Sequence, residues 1–208
     1  MTTAERQAHW QNVYQTKGER GVSWFQEKPE ISLDLIRATG LGRDASIIDI
    51  GGGASRLVDA LLDEGFRSIS VLDLSDEALS KTRERLGARA GAVDWIVADV
   101  TTWEPPQSYD IWHDRAAFHF LTATDDRAAY ADRVRQVLRP GGQLIVGTFA
   151  PDGPERCSGL PVVRHDAASL GAVFGPSFVL DETRRHDHTT PGGAIQHFQF
   201  SRFRRTAA

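Results

Sequence analysis

Apolar residues between positions 46 and 149 switch repeatedly between two periods. Ser46-Ile-Ile-Asp-Ile50 is a short β-branched run, and behind it Leu57, Val58, Leu61 and Leu62 fall at i, i+1, i+4 and i+5, one helix face that Gly65 closes. The unit then repeats. Residues 68–72 read as a strand, and Ser75 reads as the N-cap of a helix that runs to Leu86 and stops at Gly87. Asp76 and Glu77 sit favourably against the dipole of that helix. Further strands are expected over residues 94–97, 109–113 and 143–149, the last two separated by a helix over 125–138 that Pro140-Gly141-Gly142 terminates. Strands alternating with helices through short turns specify a parallel sheet covered on both faces, a doubly wound α/β architecture.

Outside that stretch the rhythm changes. Two helical segments, 4–16 and 29–39, come first and are joined by a loop carrying Trp24 and Phe25. After residue 149 come a Pro/Gly-rich loop over 151–161, a short helix over 166–174, and strands over 178–185 and 194–203 separated by an open turn that begins His186-Asp-His188. The expected fold is a mostly parallel seven-stranded sheet with a C-terminal antiparallel hairpin and an N-terminal helical lid. With 208 residues against roughly 150 for a typical domain, one domain over 1–208 is expected. It divides into a lid (1–40), a core (46–149), and an acceptor-side loop, helix and closing hairpin (150–208).

Composition narrows the classes. Hydrophobic residues make up 40% of the chain, enough for a core that needs no staples, and the single cysteine, Cys157, allows neither an internal disulfide nor a cysteine metal cluster. The net charge of −4 comes from 28 acidic and 24 basic residues interspersed along the chain, without the basic footprint that nucleic-acid binding needs. No apolar leader or membrane-length run is present, so a cytoplasmic protein with no membrane partner is expected. His186 and His188, two apart with one distant cysteine, are poor metal-ligand spacing, and no metal is expected.

The strongest chemical signal is Asp49-Ile-Gly51-Gly52-Gly53-Ala54-Ser55, which leaves one strand and opens a helix. Glycines there let the backbone approach a ligand closely, and the following helix offers free N–H groups. The register Gly51-x-Gly53-x-x-Arg56 lacks the third glycine of the dinucleotide fingerprint, which argues against NAD or FAD. Asp73 ends the second strand 20 residues after Gly53, where an acid can take both hydroxyls of a ribose or simply cap a turn. Ligands of open parallel sheets lie beyond the carboxyl ends of the strands. Gly51–Ser55, Asp73, Asp99, the segment from Asp114 to His119 and the 151–165 loop each follow a different strand, so all converge on one rim.

These residues resemble the class I S-adenosylmethionine-dependent methyltransferases. Asp49, Gly51 and Gly53 match the family's acid-x-Gly-x-Gly-x-Gly opening, with Ser55 replacing the last glycine. Leu72-Asp73-Leu74-Ser75 is similar to the motif whose acid binds ribose, Ala98-Asp99-Val100 to the one whose acid meets the adenine amino group, and Leu138-Arg-Pro-Gly-Gly-Gln-Leu-Ile-Val146 to the helix-to-strand junction. The resemblance implies S-adenosyl-L-methionine as cofactor, held by Asp49, Gly51, Gly52, Gly53, Ser55, Asp73, Leu74, Asp99 and Val100. It also implies a Rossmann-like core. Trp10 and Tyr14, at i and i+4, share one helix face and belong either to the core or to a lid whose rings attract a sulfonium, with Tyr14 and Trp24 as its contacts.

Candidate chemistry follows the fourth strand, in Trp112-His113-Asp114-Arg115-Ala-Ala-Phe118-His119. His113 and His119 are either general bases or ordinary core histidines, and Asp114 and Arg115 either orient an acceptor or pair with each other at a helix start. The Asn/Asp-Pro-Pro-aromatic tetrapeptide of nucleic-acid base methyltransferases is absent here. Asp114-Arg-Ala-Ala117 is closer to the Asp-Arg-Ala-Ala of thiopurine-type S-methyltransferases than to the Asp-Lys-Gly-Thr of several protein-lysine enzymes. A small-molecule acceptor is therefore expected, weakly favoured to be a thiol or another soft nucleophile, since a thiol with a free pKa near ~8.5 needs little help from a base. A protein-lysine methyltransferase and a non-catalytic nucleotide-binding module are the alternatives. Cys157 falls in a stiff loop over the acceptor side, as an inert thiol or a functional one.

Overall fold

Strand alternation sorts the core into two layers. Ile47, Ile111 and Ile145 point to one face of a central sheet, while their neighbours Ile48, Trp112 and Leu144 point to the other. The computed structural model describes residues 1–206. Strands β1 (Ser46–Ile50), β2 (Ser68–Asp73), β3 (Val93–Val97), β4 (Tyr109–Arg115) and β5 (Leu138–Phe149) pair in parallel. After β5 come a short two-stranded ribbon, β6 (Arg156–Cys157) with β7 (Leu160–Pro161), and then β8 (Phe178–Thr189) and β9 (Ile195–Arg205). β9 runs antiparallel to both β5 and β8, so the seven-stranded order is β3-β2-β1-β4-β5-β9-β8. Strand order reverses between β1 and β4, and a crevice opens there beyond their carboxyl ends.

Among the described residues six α-helices flank the sheet: α1 (Thr3–Lys17), α2 (Glu30–Arg37), α3 (Leu57–Asp63), α4 (Asp76–Leu86), α5 (Thr124–Val137) and α6 (Ala167–Phe174). Leu35 and Ile36 of α2, Leu57 and Leu61 of α3 and Leu79 of α4 cover one face; Tyr130 and Val134 of α5 with Leu170 and Phe174 of α6 cover the other. Helix α1 starts on a capping box, Thr2 accepting from the Glu5 N–H while Glu5 reaches back to the Thr2 N–H. It lies against α4 at the rim, over the end of β2.

Three departures from the sequence pattern bear on the site. Strand β4 continues two residues past His113, so Asp114 and Arg115 are strand residues facing opposite sides and do not pair with each other. Strand β5 begins at Leu138, directly after α5, because Pro140-Gly141-Gly142 makes a bulge instead of a stop: Tyr109 pairs with Leu138 and Ile111 with Gln143. Gly141 takes a positive φ of 80° to allow this. The sixth long strand, β8, runs on to Thr189, so His186 and His188 lie within a strand that is paired to its end with β9. No helix among the described residues is long and apolar enough to cross a membrane.

The β5–β9 seam is tight. A Cβ on Gly147 would lie 2.5 Å from Phe200 Cε1 in the buried face of the sheet. Gly147→Ala is expected to lower unfolding free energy by about 1–3 kcal/mol through overpacking. Urea denaturation checks this, and an unchanged midpoint would show that the ring moves aside freely.

Candidate active site

Asp49 is the last inward acid of β1. Its Oδ1 bonds His113 Nδ1 at 2.7 Å, and His113 Nε2 bonds Ser32 Oγ of α2 at 2.9 Å. Both nitrogens of that histidine are engaged, and the three residues are buried. Asp49 Oδ2, also buried, has no hydrogen-bond partner. The chain then turns through Gly51, with φ of 66°, and its N–H donates to Leu72 O at 2.7 Å. A Cβ on Gly51 would stand 2.7 Å from that of Ala117, and one on Gly53 2.6 Å from Asp73 Oδ2. The loop is pressed between the β4 turn on one side and the β2 acid on the other, and only glycine fits.

Asp73 is buried and accepts from the Ser75 N–H at 2.8 Å. Burial, reinforced by the nearby Asp49 charge, pushes its carboxyl up to about 7. Asp99 behaves oppositely. Burial alone would raise it, but hydrogen bonds from Thr101 and Thr3 and the Arg6 charge outweigh that and hold it below the usual carboxylate range. Its Oδ1 accepts from Thr101 N and Oγ1, and its Oδ2 from Thr3 Oγ1 at 2.7 Å and Arg6 Nη2 at 2.8 Å. Thr3 and Arg6, two of these four donors, tie α1 to the end of β3.

Two chambers meet above these residues. The first is walled by Asp73, Leu74, Asp99 and Val100 together with Trp10 and Phe120; the second by Asp49, Gly52, Ser55, Ser32 and His113. Tyr14, Trp24, Gly51 and Arg115 line both. Trp24 meets Trp10 and Tyr14 edge to face, with ring centroids 5.7 and 6.2 Å apart, so the junction has an aromatic wall. Gly53 does not line either chamber but packs against Asp73.

The residues after β4 go separate ways. Asp114 faces α5, accepts from the N–H groups of Ala117 and Phe118 at 3.0 Å each and from Tyr130 Oη at 2.7 Å, and is pushed up to about 6 by burial. It shapes the turn. Arg115 faces the junction; its Nη1 donates to Trp24 O at 2.9 Å, its guanidinium stacks 5.0 Å from the Phe198 ring centroid, and Nε and Nη2 have no partner. Burial lowers its pKa to about 10. His119 is buried, accepts from the Phe149 N–H at 3.3 Å, and is pushed down to about 3 by burial and by His165 and Arg115. It lines neither chamber.

His188 bonds Ser23 O at 2.8 Å and His186 lies 3.5 Å from Gln26 Nε2, so strand β8 does reach the rim, beneath the loop that carries Trp24. Cys157 is buried 3.9 Å from Ser23 Oγ, and burial pushes its thiol up. Among the described residues no cluster of three or more metal-ligating side chains forms. Sequence reasoning missed Arg6, Thr3 and Ser32. The first two continue the Trp10–Tyr14 stripe backwards at helical spacing, so that periodicity held the signal. Ser32 had none, because its partner lies 81 positions away.

Comparison with known proteins agrees with this geometry. Residues 47–142 match a family model described as a methyltransferase domain. Trans-aconitate 2-methyltransferase of Rhizobium rhizogenes is 28% identical over 126 residues, 60% of this chain and 46% of that protein. The eEF1A lysine and N-terminal methyltransferase of Mus musculus is 22% identical over 140 residues, 67% of this chain and 20% of that one. The chain thus spans less than half the length of these relatives. Among solved structures, 1,6-didemethyltoxoflavin-N1-methyltransferase of Burkholderia thailandensis, with S-adenosylhomocysteine bound, shares the fold at TM-score 0.70 and 20% identity, covering 100% of this chain and 92% of that one. The strand order, the glycine loop after β1 and the acid ending β2 fit that match, and residues 47–142, just under half of the chain, are similar to the class I S-adenosylmethionine-dependent methyltransferases.

Proposed function

We propose that the protein transfers a methyl group from S-adenosylmethionine to a small-molecule nucleophile. The observation that carries this reading is the junction itself, walled by the rings of Tyr14 and Trp24, where the chamber of Asp73 and Asp99 meets the chamber of Asp49, whose Oδ2 has no partner. Those walls suit the group. Asp73 stands where ribose hydroxyls need an acceptor, Leu74 and Val100 offer an apolar slot for a base, and Asp49 Oδ2 awaits a cationic donor such as an amino-acid ammonium. Tyr14 and Trp24 present ring faces and edges around the junction, and ring faces attract a sulfonium. When bound, S-adenosylmethionine supplies a methyl group on a positively charged sulfur, open to in-line displacement.

The protein's own residues then align and exclude water. Neither candidate base stands ready to take a proton: His113, the one histidine lining the chambers among the described residues, is engaged at both ring nitrogens, and His119 is neutral and outside the chamber walls. A nucleophile that arrives with a free lone pair fits this site, and a thiol, partly ionised at neutral pH, meets that requirement. The protein-lysine reading fits less well. A lysine ammonium needs acid at the junction, and the charged group lining both chambers is the cation of Arg115.

Two measurements test the proposal. Asp73 must be ionised to accept two hydroxyls well, and its carboxyl is held up to about 7, so affinity for S-adenosylhomocysteine is expected to rise as the pH climbs through neutrality. Calorimetry between about pH 6 and about pH 8 should show about a tenfold gain. Asp73→Asn should flatten that dependence and weaken binding by ~1–3 kcal/mol; a pH-independent wild type would remove the ribose role. Incubation with methyl-labelled S-adenosylmethionine and either small thiols or cell lysate should place the label in small molecules. Label confined to macromolecules would overturn the small-molecule reading.

A further inference from the structure

We infer that the acceptor carries a carboxylate, and that Arg115 grips it side-on through Nε and Nη2. This deepens the proposed methyl transfer and rests on it. Arg115 is the one guanidinium lining both chambers whose Nε and Nη2 are out of solvent and without a partner among the described residues. Other cations at the rim are already matched: Arg6 pairs with Asp99 and Asp126, and Arg56 with Glu19 and Glu27. The Asp49 charge acts on Arg115 only across space, and buried donors left unpaired are costly, so a site that retains them suits a ligand that completes them.

The free pair of donors is informative. Nη1 is spent on Trp24 O, which fixes the guanidinium plane, and Phe198 holds one ring face against it. Nε–H and the outer N–H of Nη2 lie along the same edge, the two-pronged fork that matches both oxygens of a carboxylate. A lone thiolate or a neutral hydroxyl would satisfy only one prong.

Position argues for the acceptor over the cofactor as owner of that carboxylate. Arg115 lies at the junction between the chambers, next to Tyr14 and Trp24, where a sulfonium would sit. Two cations brought together out of water repel, and an anion between them relieves both. The rest of the junction is aromatic, so the acceptor is an apolar body with one acidic end.

The test uses the full chain saturated with S-adenosylhomocysteine, titrated with benzoate and phenylacetate and with their neutral amides. Wild type is expected to bind the acids about tenfold or more tighter than the amides, the value of hydrogen bonds to a charged partner. Arg115→Met should bring acid and amide together, and Arg115→Lys, which keeps the charge without the fork, should recover only part of the preference. Affinity for S-adenosylhomocysteine should change less than about threefold in both variants, which also shows that they are folded. Absence of acid binding, equal binding of acids and amides, or a preference that survives in Arg115→Met overturns the inference. So does a loss of S-adenosylhomocysteine affinity in a variant that melts like wild type, since Arg115 would then hold the cofactor's own carboxylate. If wild type fails to bind S-adenosylhomocysteine at all, the methyltransferase reading fails first.

Discussion

The constraint on which the structure depends is the narrow passage of the backbone between β1 and α3. At Gly51 and Gly53 the chain runs so close to Ala117 and to the Asp73 carboxylate that a single methyl group has no room. That closeness locks three elements together, because the β1 loop cannot shift without moving the turn after β4 and the acid ending β2. It also leaves Gly51 in the wall of both chambers. The reversal of strand order between β1 and β4 supplies the crevice, and the glycines let the chain cross its floor without filling it.

Charge is distributed around that floor in an uneven way. Burial and the nearby Asp49 charge make Asp73 harder to ionise, and the Arg115 cation lines both chambers without a hydrogen bond to either acid. The histidines around it are uncharged spacers: His119, His165 and His188 are all pushed well below their ordinary range by burial. Charge at the rim is therefore carried by carboxylates and guanidinium groups and not by these three histidines.

Much of this was legible from the amino-acid pattern. The doubly wound sheet, the glycine loop and the convergence of strand ends on one rim all follow from local periodicity and from the rule that parallel strands share a direction. What escaped was of two kinds. Pro140-Gly141-Gly142 has the composition of a stop and acts as a bulge, because the neighbouring strand supplies hydrogen bonds that no local signal announces. His113 and His119 have similar neighbours in the sequence, yet one completes a chain from Asp49 to Ser32 while the other packs on Phe149. Strand parity and residues dozens of positions away decide that difference. Arg115 and Asp114 separate for the same reason: consecutive strand residues serve opposite layers.

Asp99 has one more consequence. Its four donors saturate the carboxylate, and two of them, Thr3 and Arg6, are the moorings of α1. Helix α1 and the loop after β3 thus hang from a single acceptor, so loss of that one carboxylate would cost both an anchor at once.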